Sequence, residues 1–227
     1  MPERVGAIIP AAGFSTRMGG EDKIFTNLSG KPMLAWCVDT LEQCRMVTEI
    51  VVALGPGALR LGEELSLSRG WQKTRFCAGG SRRQDSVGNA LRAMSPVDWV
   101  IVHDGDRPFL TANLVKNGLQ AARETGVVVA AVPVKDTIKV AGESGEVVQT
   151  LDRSTLRMVQ TPQVFRADIL RRVHETASDT VTDDAMLAEQ IGCTVRMYEG
   201  SYTNLKVTTP DDLLAARAIA ATWGGKG

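Results

Sequence analysis

Apolar runs of strand length alternate along the chain with stretches of helical periodicity. Val5–Pro10 (VGAIIP) is the first run, and Glu49–Leu54 (EIVVAL), Thr74–Ala78 and Trp99–His103 (WVIVH) follow it. Between them the pattern predicts helices over Lys31–Cys44, Ala58–Ser68 and Arg82–Met94. Pro32 suits a first helical turn, where its missing N–H has no partner to lose. Thr111–Thr125 reads as a helix capped by Thr111 and stopped by Gly126, and Gly126–Val134 (GVVVAAVPV) as a strongly apolar strand. Strands covered by helices on both faces are continuously apolar rather than alternating. The βαβα order therefore predicts an α/β fold: a doubly wound, mostly parallel sheet, made as one domain over residues 1–227.

The rhythm breaks at Asp136–Arg153 (DTIKVAGESGEVVQTLDR), where two alternating segments flank Gly142-Glu143-Ser144-Gly145. That is a hairpin signature. An isolated two-stranded hairpin is marginally stable in water. The segment is therefore expected to project as an arm and to pack on a second subunit; folding back on its own domain is the alternative. Beyond it the pattern predicts helices over Arg166–Ala177 and Thr182–Ile191, a strand over Thr194–Tyr198, a segment Asn204–Thr208 and a last helix over Asp211–Thr222. Asp183 and Asp184 fall in the first turn of their helix, where carboxylates complement the helix dipole.

In such sheets ligands bind beyond the carboxyl ends of the strands. The loops Ala11–Phe25 (AAGFSTRMGGEDKIF), Gly79–Asp85 and Asp104–Leu110 each follow a predicted strand, so they converge on one rim. The first can aim backbone N–H groups at phosphate oxygens, with Arg17 and Lys23 adding positive charge. A solvated loop with two surface cations is the competing reading. In the second, Gly79 and Gly80 let backbone approach a ligand, and Ser86 can donate a hydrogen bond. In the third, Asp104 can orient a hydroxyl or a metal and Arg107 can clamp an anion, unless the two simply pair with each other.

Composition narrows the chemistry. The 227 residues carry 26 Lys plus Arg against 26 Asp plus Glu, so no overall field favours nucleic acid and any anion site is local. Cys37, Cys44, Cys77 and Cys193 form no CxxC pair and no zinc spacing, and are read as reduced, mostly buried thiols of a cytoplasmic protein. The apolar run at the start is too short for a signal peptide, and none approaches the roughly 20 residues of a membrane span. His103 and His174 are the only histidines, and neither lies in a nucleophile motif; a structural role is expected for both. No GxxxxGK[ST] loop is present, and no GxGxxG follows the first strand. What remains is a set of cations, Arg17, Lys23, Arg107, Arg153 and Lys206. They suit phosphoryl or nucleotidyl transfer, which needs positioning and charge neutralisation more than proton movement.

The segments PAAGFSTRM, GGSRRQDSV, VHDGDRPFL, PVKDTIK, LDR, QTPQVF, TDDA and NLKVTTPDDL run in this order over nearly the whole chain. With them the sequence resembles the 2-C-methyl-D-erythritol 4-phosphate cytidylyltransferase family of the non-mevalonate isoprenoid pathway. The resemblance implies a nucleotidyltransferase sheet whose β-arm makes a homodimer. It implies CTP held by the backbone of Pro10, Ala11, Ala12 and Gly13, with Gly79, Gly80 and Ser86 around the base and Asp104 and Gly105 near ribose and phosphate. Arg17 and Lys23 would neutralise the triphosphate, and Lys206 and the partner's arm, through Arg153, would position the methylerythritol phosphate. Arg107, Thr137 and Thr161, with Asp104, would contact that substrate. Mg²⁺ is implied, held mainly by CTP oxygens with Asp104 as the candidate protein ligand. Two departures stand out: Asp22-Lys23-Ile24 replaces the usual Pro-Lys-Gln in a loop about one residue shorter, and Ser81 stands where many members have Asp. A ribitol 5-phosphate cytidylyltransferase shares these features. A non-catalytic nucleotide-binding module of the same fold should have lost some of Arg17, Lys23, Arg153 and Lys206, all of which are present.

Overall fold

Strand β1 (Val5–Ala11) is buried almost throughout because it lies inside a sheet with helices on both faces. Neighbouring side chains along a strand point to opposite faces. Ile9 accordingly joins a core under α1 (Met33–Gln43), and Ile8 joins a second core on the other face. The computed structural model describes residues 3–13, 23–176 and 181–223. After β1 come a two-residue ladder of β2 (Asn27–Leu28) with β3 (Lys31–Pro32), then α1, β4 (Val47–Leu54), α2 (Leu59–Arg69), β5 (Thr74–Ala78) and α3 (Arg83–Ala93). There follow β6 (Trp99–Val102), α4 (Ala112–Thr125), β7 (Val127–Pro133) and a hairpin of β8 (Lys139–Ala141) and β9 (Val147–Thr150). The chain ends with β10 (Arg157–Arg166), α5 (Ala167–Thr176), α6 (Asp184–Gln190), β11 (Arg196–Glu199) and α7 (Pro210–Thr222).

The main sheet runs β11-β7-β10-β6-β1-β4-β5. Only β10 runs antiparallel to its neighbours, β6 and β7. The doubly wound, mostly parallel sheet expected from the sequence is therefore present. Helices α1, α2 and α4 cover one face and α3, α5 and α6 the other. Among the described residues no helix is long and apolar enough to cross a membrane.

Three local expectations are corrected. The segment before the predicted helix at Arg166 is strand β10, whose run RMVQTPQVFR contains Pro162. Proline argues against a central strand because it lacks a ladder N–H. Here it falls where the β7 register shifts between Gln160 and Gln163, so no ladder donor is missed. Lys31 and Pro32 pair as β3 and Pro32 is the N-cap, so α1 starts at Met33, two residues later than predicted. Asp183 does cap α6, accepting from Met186 N–H, but Asp184 is fully buried and belongs to an ion network described below. Elsewhere local rules hold: Thr111 accepts from Leu114 N–H at 3.1 Å, and Gly126 ends α4 at φ 81°.

The hairpin forms its own two-stranded sheet, with Val147 and Val148 60% and 64% exposed. Cys37 and Cys44 are buried and Cys77 and Cys193 partly so, all as free thiols.

A third, smaller core ties α7 to the loop after β6. Phe109 packs between Trp36 and Trp223, with centroid distances of 5.7 and 4.9 Å, beside Leu28, Met33 and Val207. This cluster fixes the chain just after Arg107 and on either side of Lys206. Phe109→Ala should lower the unfolding free energy by about 3–5 kcal/mol in a urea titration. A loss below about 1 kcal/mol would mean that the ring does not anchor these segments.

Candidate active site

The chain leaves β1 for β4 and β5 on one side, then crosses to β6 on the other. The carboxyl ends of β1 and β6 thus lie at a topological switch point, where open α/β sheets bind ligands. Two pockets meet there. The first, about 220 Å³, is lined by Pro10 to Gly13 at the end of β1, Gly80 before α3, Ser86 in the first turn of α3, and Lys23, Asp106 and Lys206. The second, about 240 Å³, is lined by Asp104, Arg107, Thr161 and Thr182. Arg83 and Lys206 line both.

Close packing of loops makes the first pocket possible. A Cβ on Gly79 would lie 2.2 Å from the Ala12 Cβ, and one on Gly105 would lie 3.0 Å from the Ala11 Cβ. These two glycines therefore act from behind the wall. Gly79 N–H bonds Leu54 O at 2.7 Å and Gly105 N–H bonds Pro10 O at 3.3 Å. Ser86, expected to donate to a ligand, instead holds its own loop: its Oγ accepts from Gly80 N–H at 3.1 Å and donates to Arg82 O at 3.2 Å.

Asp104 is the hub of the second pocket. Its Oδ1 accepts from Arg83 Nε at 2.9 Å and its Oδ2 from Lys206 Nζ at 3.0 Å, with Arg107 Nε at 3.6 Å. Burial alone would raise this carboxyl, but Arg83, Lys206 and Arg107 together hold it well below the usual carboxylate range. Arg83 Nη1 also donates to Asp184 Oδ2 at 2.6 Å, and Asp184 Oδ1 meets His174 Nε2 at 2.9 Å. Burial opposes the Asp184 charge as well, and Arg83 and His174 outweigh it, leaving that carboxyl low. The sequence alone does not single out Arg83, Asp106 or Thr182, and it marks Asp184 only as a first-turn carboxylate. For Arg83 the one available signal is its place in GGSRRQDSV, between two glycines and the Ser86 helix turn.

Both Asp104 oxygens are thus engaged by cations, which does not fit the metal-ligand role expected of it. Among the described residues no three His, Cys, Asp or Glu side chains converge as a metal cage.

His103 is fully buried and structural. Asp104 N–H donates to Thr161 Oγ1 at 3.0 Å, Thr161 Oγ1 lies 3.1 Å from His103 Nδ1, and His103 Nε2 lies 3.0 Å from Arg107 O. A carbonyl only accepts, so Nε2 carries the proton and Nδ1 accepts from the Thr161 hydroxyl. The Thr161 hydroxyl, expected to touch substrate, thus also shapes the loop while its residue lines the second pocket. Arg107 Nη1 donates to Asn204 O at 2.8 Å, linking the same loop to the segment that carries Lys206.

Of the other expected residues, Lys23 lies in the first pocket. Thr137 and Arg153 belong to the arm region; both are exposed, line neither pocket, and Arg153 Nη1 donates to Lys135 O at 2.7 Å. Arg17 lies outside the described residues.

Ordered cations around a cleft walled by close-packed backbone, with His103 buried and spent on structure, suit chemistry of the nucleotidyl-transfer type. The sequence profile of the 2-C-methyl-D-erythritol 4-phosphate cytidylyltransferase family matches residues 5–222, and the chain belongs to that family. It is 45% identical over 218 residues to the 2-C-methyl-D-erythritol 4-phosphate cytidylyltransferase of Dehalococcoides mccartyi (strain ATCC BAA-2266 / KCTC 15142 / 195), covering 96% of each chain. It is 44% identical to that of Bacillus mycoides (strain KBAB4), over 93% of this chain and 96% of the relative. Among solved structures, 2-C-methyl-D-erythritol 4-phosphate cytidylyltransferase from Thermus thermophilus superposes with a TM-score of 0.81 at 34% identity, over 95% of this chain and 98% of that one. The 4-diphosphocytidyl-2C-methyl-D-erythritol synthase from Anaerococcus prevotii DSM 20548 gives 0.85 at 27% identity, over 96% of each.

Burial pushes the His103 pKa down to about 4 from 6.5. Between these values the unfolded chain holds a proton that the folded chain lacks, so stability falls as pH falls from 6.5 to 4. The loss from this group is about 3 kcal/mol. Urea titrations across that range should show it, and His103→Gln should flatten the slope by up to one proton. An unchanged slope would show that His103 protonates freely in the folded protein.

Proposed function

We propose that the chain transfers the cytidylyl group of CTP to 2-C-methyl-D-erythritol 4-phosphate, releasing pyrophosphate and forming CDP-methylerythritol. The observation that carries this reading is the pair of adjoining pockets sharing Arg83 and Lys206. The first takes the nucleotide along the Pro10–Gly13 backbone, and the second takes the sugar-alcohol phosphate beside Arg107 and Lys206. A phosphate oxygen attacks the α-phosphorus, the bond to the bridging oxygen breaks, and that electron pair leaves with pyrophosphate. The nucleophile is largely dianionic at neutral pH because its second pKa is near ~6, so no general base is needed. Lys23 and Arg17 offset charge on the triphosphate, and Lys206 offsets it where the two substrates meet. Magnesium bound with CTP would supply further counter-charge to the triphosphate, a mode that needs no carboxylate cage.

The chain acts as a single domain, and its arm, about residues 136–153, joins a second copy in a homodimer. The exposed Val147 and Val148 support this, and so does the position of Arg153 and Thr137 outside both pockets of their own chain. Each arm would supply these two residues to the partner's second pocket. Family membership favours methylerythritol phosphate over ribitol phosphate as the acceptor.

Pyrophosphate release with CTP and Mg²⁺ should be strong with 2-C-methyl-D-erythritol 4-phosphate and weak with ribitol 5-phosphate; the reverse preference would overturn the acceptor. Lys23→Ala should lower kcat by about a hundredfold or more. Mixed Arg153→Ala and Lys23→Ala subunits should regain activity that neither has alone. Proven subunit exchange without recovery would rule out a shared site.

A further inference from the structure

Asp106 stands two residues beyond Asp104 and has no part in the reaction as proposed. Its Oδ2 accepts from Lys23 Nζ at 2.6 Å, and the two side chains are only 11% and 13% exposed. Lys23 Nζ also donates to Val207 O at 3.1 Å, and Val207 N–H donates to Asp106 O at 2.9 Å. Asp106, Lys23 and Val207 therefore close a ring across three segments distant in sequence. Asp106 lines the nucleotide pocket, where its Oδ1 has no hydrogen-bond partner among the described residues and Lys206 Nζ lies 3.9 Å away.

This is an awkward place for a carboxylate. A triphosphate in the pocket would face a like charge, and that repulsion strengthens as water is excluded. Lysine, on the other hand, is a point charge on a flexible four-carbon stem. Fixing it loses rotamer entropy that a strong, short ion pair can offset before substrate arrives.

We propose that Asp106 is the positioning residue for Lys23: it holds the ammonium at the pocket wall and, by cancelling one positive charge there, weakens nucleotide binding in exchange for faster turnover. The inference rests on the reading of Lys23 as a stabiliser of the departing pyrophosphate. Asp106 touches no reacting atom and acts on turnover only through the lysine.

The test separates kcat from nucleotide affinity. In Asp106→Ala the lysine is free and the pocket gains net positive charge. Its kcat should fall about ten- to a hundredfold, as for a misplaced catalytic group, while calorimetry shows CTP binding tighter than in the unaltered protein. Asp106→Asn keeps an acceptor for Nζ but not the charge, so it should recover kcat to within a few-fold and still bind CTP more tightly. In Lys23→Ala/Asp106→Ala, kcat should equal that of Lys23→Ala alone, because the effect of Asp106 runs through Lys23.

Unaltered kcat in Asp106→Ala, weaker CTP binding in either variant, or a further fall in the double variant would overturn the proposal. If Asp106→Ala does not fold, Asp106→Asn decides: tighter CTP binding supports the proposal, and unaltered binding overturns it. Near-normal turnover in Lys23→Ala would instead overturn the role of the lysine, so the two failures are distinct.

Discussion

The buried carboxylate of Asp104 is the constraint around which the rest is arranged. A charge removed from water is tolerated only if it is paired and hydrogen-bonded. Here its partners come from three places: Arg83 opens α3, Arg107 lies on the same loop, and Lys206 precedes α7. Arg83 is in turn held by Asp184 at the start of α6. One aspartate thus fixes where four segments end, and those ends form both pockets. Removing a single partner from such a cluster is more harmful than the pair's net contribution suggests, because it strands the remaining charge.

Hydrophobic packing delivers these ends to the same place. Ile8 and Ile9, one residue apart, bury into opposite cores, so β1 cannot slip its register without exposing both. The strand then leaves the sheet beside β6 at the switch point, and the third core around Phe109 brings the Lys206 segment against the β6 loop. The cations are positioned by apolar anchors on either side, and their mutual hydrogen bonds supply the final orientation.

Much of this is legible in the sequence, and the parts that are not have physical reasons. The convergence of the β1, β5 and β6 loops follows from topology, so alternation of strands and helices suffices to foresee it. Strand β10 is hidden because Pro162 argues against a central strand, and only the β7 register break shows where the proline is harmless. Asp184 fits the local rule for helix starts, yet tertiary burial assigns it to Arg83, 101 residues away in sequence. Ser86 and Thr161 read as hydroxyls facing a ligand, whereas each is engaged by its own loops. Side-chain spacing names the residues near a site; it does not say which of their lone pairs are already taken.

The balance of 26 basic and 26 acidic residues sets how a substrate meets these cations. A neutral chain projects little long-range field, and at physiological ionic strength the Debye length is only about 8 Å. A triphosphate therefore feels Lys23, Lys206 and Arg83 mainly once it is inside the cleft. Capture becomes a short-range event, in which a compact polyanion small enough to enter is distinguished from the long polyanions of the cell by access rather than by attraction from afar.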